Sequence, residues 1–181
     1  DPHTLRLLEV LARHQVRATF FLIGRYVRQQ PEIARRIASA GQTIGNHTAT
    51  HPNLFWTSHT QTTSEIRDAQ SILEDTLGTR ITLFRPPFGC RRPDTLRTVR
   101  DQGLTPVLWN VKCYDWRASI TSERILHYAQ RGIQRNARRN RGALILLHDG
   151  GHIQLGADRN ATLEATRQLL TAYPQERFIT L

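Results

Sequence analysis

Short apolar runs alternate along the chain with longer segments in which apolar residues recur every three or four positions. The longer spacing is typical of amphipathic helices, and a short apolar run between turn residues is typical of a buried strand. The spacing predicts helices over residues 4–14, 31–40, 62–77, 93–102, 121–139 and 161–172. The apolar runs predict strands over residues 18–23, 42–46, 81–84, 105–111, 143–147 and 178–181.

Strict alternation of helix and strand predicts an α/β fold in which helices cover parallel strands. An open doubly wound sheet and a (β/α) barrel both fit this pattern, and either fold places its chemistry at the carboxyl ends of the strands. A βα unit begins with its strand, whereas this chain begins with a helix and contains no Met. We therefore expect one more strand before Asp1. No repeat or linker divides the sequence, so a single domain over residues 1–181 is expected.

Composition narrows the class of protein only a little. Hydrophobic content of 39% and charged content of 22% are typical of a soluble globular domain. No apolar run reaches the roughly 20 residues of a membrane span. The net charge is +10, and Lys112 is the only Lys. The Arg-rich stretch over residues 131–141 has no interleaved aromatic residues, so a nucleic-acid partner is not expected.

The two cysteines, Cys90 and Cys113, cannot form a disulfide framework and lack zinc-finger spacing. The sequence leaves open whether they form one bridge or remain two thiols. The redox compartment therefore stays undecided.

Polar and ionisable residues follow the predicted strands. The segments at the strand ends are GNHTATH at 45–51, RPPFG at 85–89, KCYDW at 112–116 and LHDGGH at 147–152. Because the carboxyl ends of parallel strands share one edge of a sheet, these segments predict a functional site there.

His47 and His51 are four residues apart, a spacing that brings two imidazoles onto one metal where the backbone curls. His148 and His152 share that spacing. A capping or core histidine is the alternative for His47, but its place after a strand and before Pro52 favours a metal ligand.

Two further segments carry candidate chemistry. Arg85 precedes two prolines, and such a rigid turn can present the backbone N–H groups of Phe88 and Gly89 to an oxyanion. His148 follows an apolar run, which fits either a general acid or base or a buried histidine bonded to Asp149. Trp116 fits a core position or the wall of a sugar site.

Taken in order, these segments resemble the second to fifth motifs of the polysaccharide deacetylases, carbohydrate esterase family four. The matching segments are His47–His51, Arg85–Gly89, Asp115–Trp116 and Leu146–Asp149, with residues 18–24 matching a strand of the family. The resemblance spans essentially the whole chain. It implies a distorted (β/α) barrel of about seven strands, with the first strand absent, and metal-assisted hydrolysis of acetamido sugars.

The resemblance also implies a role for each matching residue. His47 and His51 would be metal ligands, and Arg85 would orient the catalytic carboxylate. The turn of Pro87 and Phe88 would bind the oxyanion or the substrate. Trp116 would line the acetyl pocket beside Leu147, and His148 would be the general acid. The implied metal is divalent, zinc first, with cobalt, nickel and manganese as alternatives.

The chain departs from the family pattern at three places. The first motif, which supplies the catalytic base and a third metal ligand (an Asp), is expected upstream of Asp1. Lys112 stands where many members carry an acidic residue that tunes the catalytic histidine. Either Asp115, which is counted with the catalytic residues, or Asp149 is then expected to tune the histidine, or the tuning differs from that of the family. His152 has no role in the pattern.

The expected substrate is an N-acetylglucosamine-containing polysaccharide such as peptidoglycan or chitin. Acetylated xylan, a lipid-linked aminosugar and a cyclic imide are alternatives, and a non-catalytic glycan-binding domain is another class. The substrate class favours a secreted, periplasmic or cell-envelope protein, and a monomer is favoured.

Overall fold

The computed structural model describes residues 2–173 and 177–181, and its elements follow the predicted alternation. The helices are α1 Pro2–Arg13, α2 Gly24–Gln29, α3 Pro31–Ser39, α4 His59–Leu77, α5 Pro93–Asp101, α6 Ser122–Ala137 and α7 Asn160–Ala172. The strands are β1 Thr19–Leu22, β2 Thr43–Asn46, β3 Leu83–Phe84, β4 Thr105–Pro106, β5 Val111–Lys112 and β6 Ile145–Leu146. The strand pairs that they form are parallel, which confirms the predicted α/β class.

The described residues group into two units. One contains residues 2–17 with the described part of 109–179, and the other contains Ala18–Leu108 with Thr180–Leu181. Each unit has its own sheet and its own apolar core.

The Ala18–Leu108 unit is built on a four-stranded sheet in the order β1-β2-β3-β4. Gly45 lies opposite Phe21 in the β1–β2 pair, and a Cβ at Gly45 would lie 2.5 Å from the Phe21 ring. Only glycine therefore lets this ring lie across β2. Beneath the sheet, α4 and α5 enclose a core of fully or nearly fully buried residues, namely Leu54, Ile66, Phe84, Val99 and Leu104.

The other unit pairs β5 with β6, and α6 and α7 pack beside them. Gly132 of α6 faces Val111 of β5, where a Cβ would lie 2.3 Å from the Val111 side chain. The missing side chain lets the helix approach the strand closely. The core of this unit contains Val111, Cys113, Ile125, Ala129, Ala165 and Leu169.

Capping residues explain where two helices begin. Ser58 and Gln61 form a reciprocal capping box at the start of α4, so this helix begins three residues before the predicted Thr62. Thr121 accepts a hydrogen bond from the Arg124 amide at the start of α6.

Helix α2 was not predicted, because its first amides are satisfied by residues that are distant in sequence. The Gly24 amide donates to the Thr48 carbonyl at 2.9 Å and the Arg25 amide to the Ala49 carbonyl at 2.8 Å. No side chain caps this helix. Its start is thus set by the segment that carries His47 and His51.

Two strand predictions are wrong. The apolar run over residues 105–111 forms two strands in different sheets, because Val107 donates to Phe84 while Asn110 and Val111 both donate to the Leu144 carbonyl. An apolar run does not show such a change of partner. Residues 178–181 form no strand in the structure.

None of the helices in residues 2–173 and 177–181 has the length and apolar character that a membrane crossing requires.

Candidate active site

The segment after β2 is a tight turn held by the buried side chain of Asn46. Its Oδ1 accepts from the Thr48 amide at 2.9 Å, and its Nδ2 donates to the Ile66 carbonyl at 2.9 Å and to Gln70 Oε1 at 3.1 Å. Asn46 thereby ties the turn to α4. Sequence reasoning gave it no such role, although it lies within the segment singled out.

His47 lies at the beginning of this turn with its ring orientation fixed. Its Nδ1 is 2.6 Å from the Arg85 carbonyl oxygen. A carbonyl only accepts, so Nδ1 carries the proton and Nε2 is the nitrogen with the lone pair. This arrangement of a backbone carbonyl behind an imidazole is typical of histidines that bind metal through the other nitrogen.

His51 contacts His47 across the curl of the segment. The two ring centroids are 4.8 Å apart at an interplanar angle of 73°. The His51 amide donates to Thr48 Oγ1 at 3.0 Å, which closes the turn between the two imidazoles. The structure thus brings together the two residues predicted to bind a metal.

Two residues of this turn have strained backbone conformations. Thr48 and His51 both have a φ of 68°, in the left-handed region that disfavours residues with a side chain. Such conformations cost roughly 1–3 kcal/mol each and gather at functional sites. Glu65 holds the segment as well, since its carboxylate accepts from the Thr50 amide at 2.8 Å and from the Thr50 hydroxyl at 2.7 Å.

Arg85 follows β3 and is a buried cation. Its guanidinium carbon lies 4.0 Å from the centroid of the Phe21 ring, and Nη2 donates to the Leu108 carbonyl at 3.4 Å. Burial lowers the pKa of Arg85 to about 10. Arg85 therefore reaches His47 through its backbone, while its side chain packs on the aromatic ring.

The Arg85–Gly89 segment forms the rigid turn that the two prolines predict, with Pro87 buried. The prediction that Gly89 offers its N–H to an oxyanion is wrong, because this amide donates to the Pro86 carbonyl at 3.0 Å. The Phe88 amide stays the predicted donor. Phe88 has a φ of 57°, and its ring lies 4.8 Å from that of His51.

In the other unit, Asp115 follows β5 and binds His148 twice. Asp115 Oδ2 accepts from the His148 amide at 2.6 Å, and Oδ1 lies 2.9 Å from His148 Nδ1. Thr162 donates its hydroxyl to Oδ2 at 3.2 Å. The carboxylate is fully buried while the imidazole stays partly exposed. This arrangement fixes the tautomer and the orientation of the imidazole.

Aromatic side chains surround this pair. The Trp116 ring lies 5.4 Å from the His148 ring at 82°, and Trp116 is 42% exposed. Tyr114 contacts Trp116 at 5.5 Å and has a φ of 57°. Trp116 is therefore a wall beside His148 and not a core residue. Leu147, by contrast, packs against the core of this unit.

The remaining polar residues after β5 and β6 are placed differently. Asp149 accepts from the Thr4 hydroxyl at 2.6 Å, so the alternative in which it binds His148 is wrong and Asp115 is the partner. The exposed Lys112 ammonium lies 5.9 Å from the Trp109 ring centroid. His152 is exposed.

Both cysteines are free thiols, which settles the question that the sequence left open. Cys113 is fully buried, and burial together with the negative charge of Asp115 raises its pKa to about 12. In the part of the chain that the structure describes, no three His, Cys, Asp or Glu side chains gather in a group that could hold a metal ion.

Comparison with known proteins agrees with the motifs. The family model described as polysaccharide deacetylase matches residues 1–107, which include His47, His51 and Arg85. The chain belongs to the polysaccharide deacetylase family. The predicted enzyme class, hydrolases of non-peptide C–N bonds, is thereby confirmed at the level of the family.

Two named relatives are enzymes of this kind. The chain is 39% identical over 153 residues to a chitooligosaccharide deacetylase of Azorhizobium caulinodans, covering 82% of this chain and 70% of that protein. It is 34% identical over 159 residues to a peptidoglycan-N-acetylglucosamine deacetylase of Bacillus cereus, covering 86% of this chain and 54% of that protein.

Solved structures confirm the fold class. A family 4 carbohydrate esterase from Streptomyces lividans in complex with acetate has a TM-score of 0.83 at 28% identity, over 99% of this chain and 85% of that one. A family four pseudoenzyme from Bacillus anthracis has a TM-score of 0.85 at 27% identity, over 99% of this chain and 58% of that one.

Proposed function

We propose that this chain belongs to an enzyme that catalyses the metal-dependent hydrolysis of N-acetyl groups from an N-acetylglucosamine-containing polysaccharide such as peptidoglycan or chitin. The observation that carries the proposal is the pairing of His148 with Asp115 inside a family of deacetylases. A buried carboxylate behind a partly exposed imidazole suits a general acid, because the carboxylate orients the ring by its Nδ1 and leaves Nε2 to transfer a proton.

In this proposal His148 donates a proton from Nε2 to the amine that leaves when the C–N bond of the acetamide breaks. Asp115 keeps the Nδ1 proton in place during that transfer. Protonating the leaving nitrogen is essential, because an unprotonated amine is a very poor leaving group. Trp116 shields the imidazole on one side.

His47 and His51 would hold the metal, most favourably zinc. The third ligand and the catalytic base would come from the family's first motif. The fixed tautomer of His47 and the contact between the two rings fit this assignment. When bound, such a metal polarises the acetyl carbonyl and lowers the pKa of water. The Phe88 amide is proposed to donate to the developing oxyanion, and Arg85 to orient the base.

Acetate release from an N-acetylglucosamine hexamer, measured with and without a chelator, tests the activity. Metal content measured in His47→Ala/His51→Ala tests the ligands, with His59→Ala as a matched control because His59 is exposed at the start of α4. We expect the double variant to lose zinc and the control to keep it. Full zinc occupancy in the double variant would contradict the assignment.

The second candidate is a non-catalytic glycan-binding domain, which the likeness to the Bacillus anthracis pseudoenzyme favours. The same assay separates the two. Binding of the hexamer without acetate release, at saturating zinc, would support the binding domain. A secreted, periplasmic or cell-envelope location follows from the substrate class in either case.

A further inference from the structure

The turn that follows His51 carries two exposed aromatic rings side by side. Phe55 is 49% exposed and Trp56 is 79% exposed. Their ring centroids are 4.8 Å apart at 82°, so they form one continuous apolar surface. Single exposed apolar residues are ordinary, but a contiguous exposed aromatic surface marks a binding site.

The backbone of this turn is fixed from within. Asn53 Oδ1 accepts from the Phe55 amide at 3.0 Å, and the Trp56 amide donates to the Asn53 carbonyl at 3.0 Å. Leu54, between these residues, is fully buried in the core of the unit. The buried leucine anchors the turn while its neighbours face outward.

Arg92 holds the turn from outside. Its Nη1 donates to the Phe55 carbonyl at 3.3 Å and its Nη2 to the Thr57 carbonyl at 2.8 Å. Asp94 keeps the guanidinium in place through contacts of 3.1 and 3.2 Å. The two rings are therefore presented by a backbone that is already ordered, which lowers the entropy cost of binding a ligand on them.

A groove of about 260 Å³ lies at the same turn. Pro52 and Thr57, which flank the aromatic pair in sequence, both line it. The hydroxyl groups of Thr60 and Ser64 and the carboxylates of Glu65 and Asp68 line it from α4. The described lining contains no basic side chain, so the groove offers no counter-charge to an anionic ligand.

We infer that Phe55, Trp56 and this groove bind a stretch of neutral glycan chain. Sugar rings offer an apolar C–H face to an aromatic ring and hydroxyl groups to carboxylate and hydroxyl partners. This surface supplies both kinds of contact. Trp56 follows His51 by five residues, a backbone reach of at most about 18 Å. That the bound chain is the substrate rests on the proposed function; that the surface binds glycan does not.

Titration with N-acetylglucosamine hexamer and dimer tests the inference, by calorimetry and by intrinsic fluorescence of the three Trp residues. We expect Trp56→Ala to raise the Kd for the hexamer about tenfold, as the loss of one buried aromatic contact does. Trp56→Phe should keep the affinity while removing most of the fluorescence response. Ile179→Ala, which removes another highly exposed apolar side chain, is the control and should change neither.

Steady-state kinetics of acetate release provide a second test. Trp56→Ala should raise KM for the hexamer about tenfold with kcat unchanged, and leave the dimer unaffected. A different result would separate the two proposals. If Trp56→Ala lost hexamer affinity tenfold while neither it nor the unchanged protein released acetate, the proposed function would be wrong and this inference would be supported.

Equal hexamer affinity in Trp56→Ala and the unchanged protein would overturn the inference, and so would a failure of the unchanged protein to bind hexamer. Trp56-dependent binding to anionic lipid vesicles, or Trp56-dependent self-association, with hexamer affinity unchanged would also overturn it. In those cases the surface would bind a membrane or a second copy of the chain.

Discussion

Asp115 holds His148 at two points, through the backbone amide at 2.6 Å and through ring Nδ1 at 2.9 Å. The carboxylate thus sets both the position of the residue and the tautomer of its ring. Because Asp115 is buried and Thr162 also donates to it, the carboxylate has little freedom to turn away. This relationship makes Asp115 the positioning residue for the proposed general acid.

Replacing Asp115 with Asn should lower kcat by about two to four orders of magnitude. The amide would direct an N–H group either at Nδ1, which would force the ring into the other tautomer, or at the His148 backbone N–H. Acetate release and thermal unfolding measured on the same variant separate a catalytic loss from a folding defect.

The matched control is Asp149→Asn, since Asp149 lies beside His148 in sequence but accepts from Thr4. An Asn at this position can still accept that bond, so we expect nearly unchanged kcat. A larger loss in Asp149→Asn than in Asp115→Asn would contradict the assigned partner.

Lys112 is expected to have no influence on the ionisation of His148, because its ammonium is exposed over the Trp109 ring. In Lys112→Asp, the alkaline limb of kcat against pH should stay where it is. A nearby cation would disfavour the imidazolium, so its replacement by a carboxylate would move this limb upward. An upward shift of the alkaline limb would therefore show that Lys112 acts on His148.

Ionisation of the Cys113 thiol should lower the free energy of unfolding as pH rises from about 9 toward 12. The pKa of its thiol is raised from 9.0 to about 12 in the folded state, so above pH 9 the unfolded chain loses this proton first. Linkage then removes about 1 kcal/mol of unfolding free energy between pH 8 and 10. Urea unfolding at both pH values should show this loss.

Cys113→Ala provides the comparison, with Cys90→Ala as the control for the other thiol. The alanine at position 113 leaves a small cavity and a lower stability at pH 8, but it should remove the decline that the thiol causes. An equal decline in Cys113→Ala and the unchanged protein would contradict the assignment to this group.

The sequence predicted where the strands that precede the site segments end, because each of these apolar runs stops where polar residues begin. It brought His47 near His51 correctly, since a spacing of four residues fixes the two imidazoles on one curl. It left Asp115 and Asp149 as equal partners for His148, because both follow a strand. Only the backbone geometry shows that Asp149 accepts from Thr4 instead.

Other features depend on contacts that no local pattern records. The positive φ values of Thr48 and His51 occur without glycine. They depend on hydrogen bonds from the Thr48 amide to Asn46 Oδ1 and from the His51 amide to Thr48 Oγ1. Helix α2 begins where distant carbonyls accept its first amides. The apolar run over residues 105–111 divides because its hydrogen-bond partner changes midway.

The most direct test of His148 as the general acid compares acetate release and metal content in the unchanged protein and in His148→Ala. A general acid typically contributes roughly 100- to 10,000-fold in rate. We expect kcat of His148→Ala on the N-acetylglucosamine hexamer to fall by about that factor while the zinc content stays the same. Loss of zinc together with activity would make His148 a metal ligand, and unchanged kcat would contradict its role as the general acid.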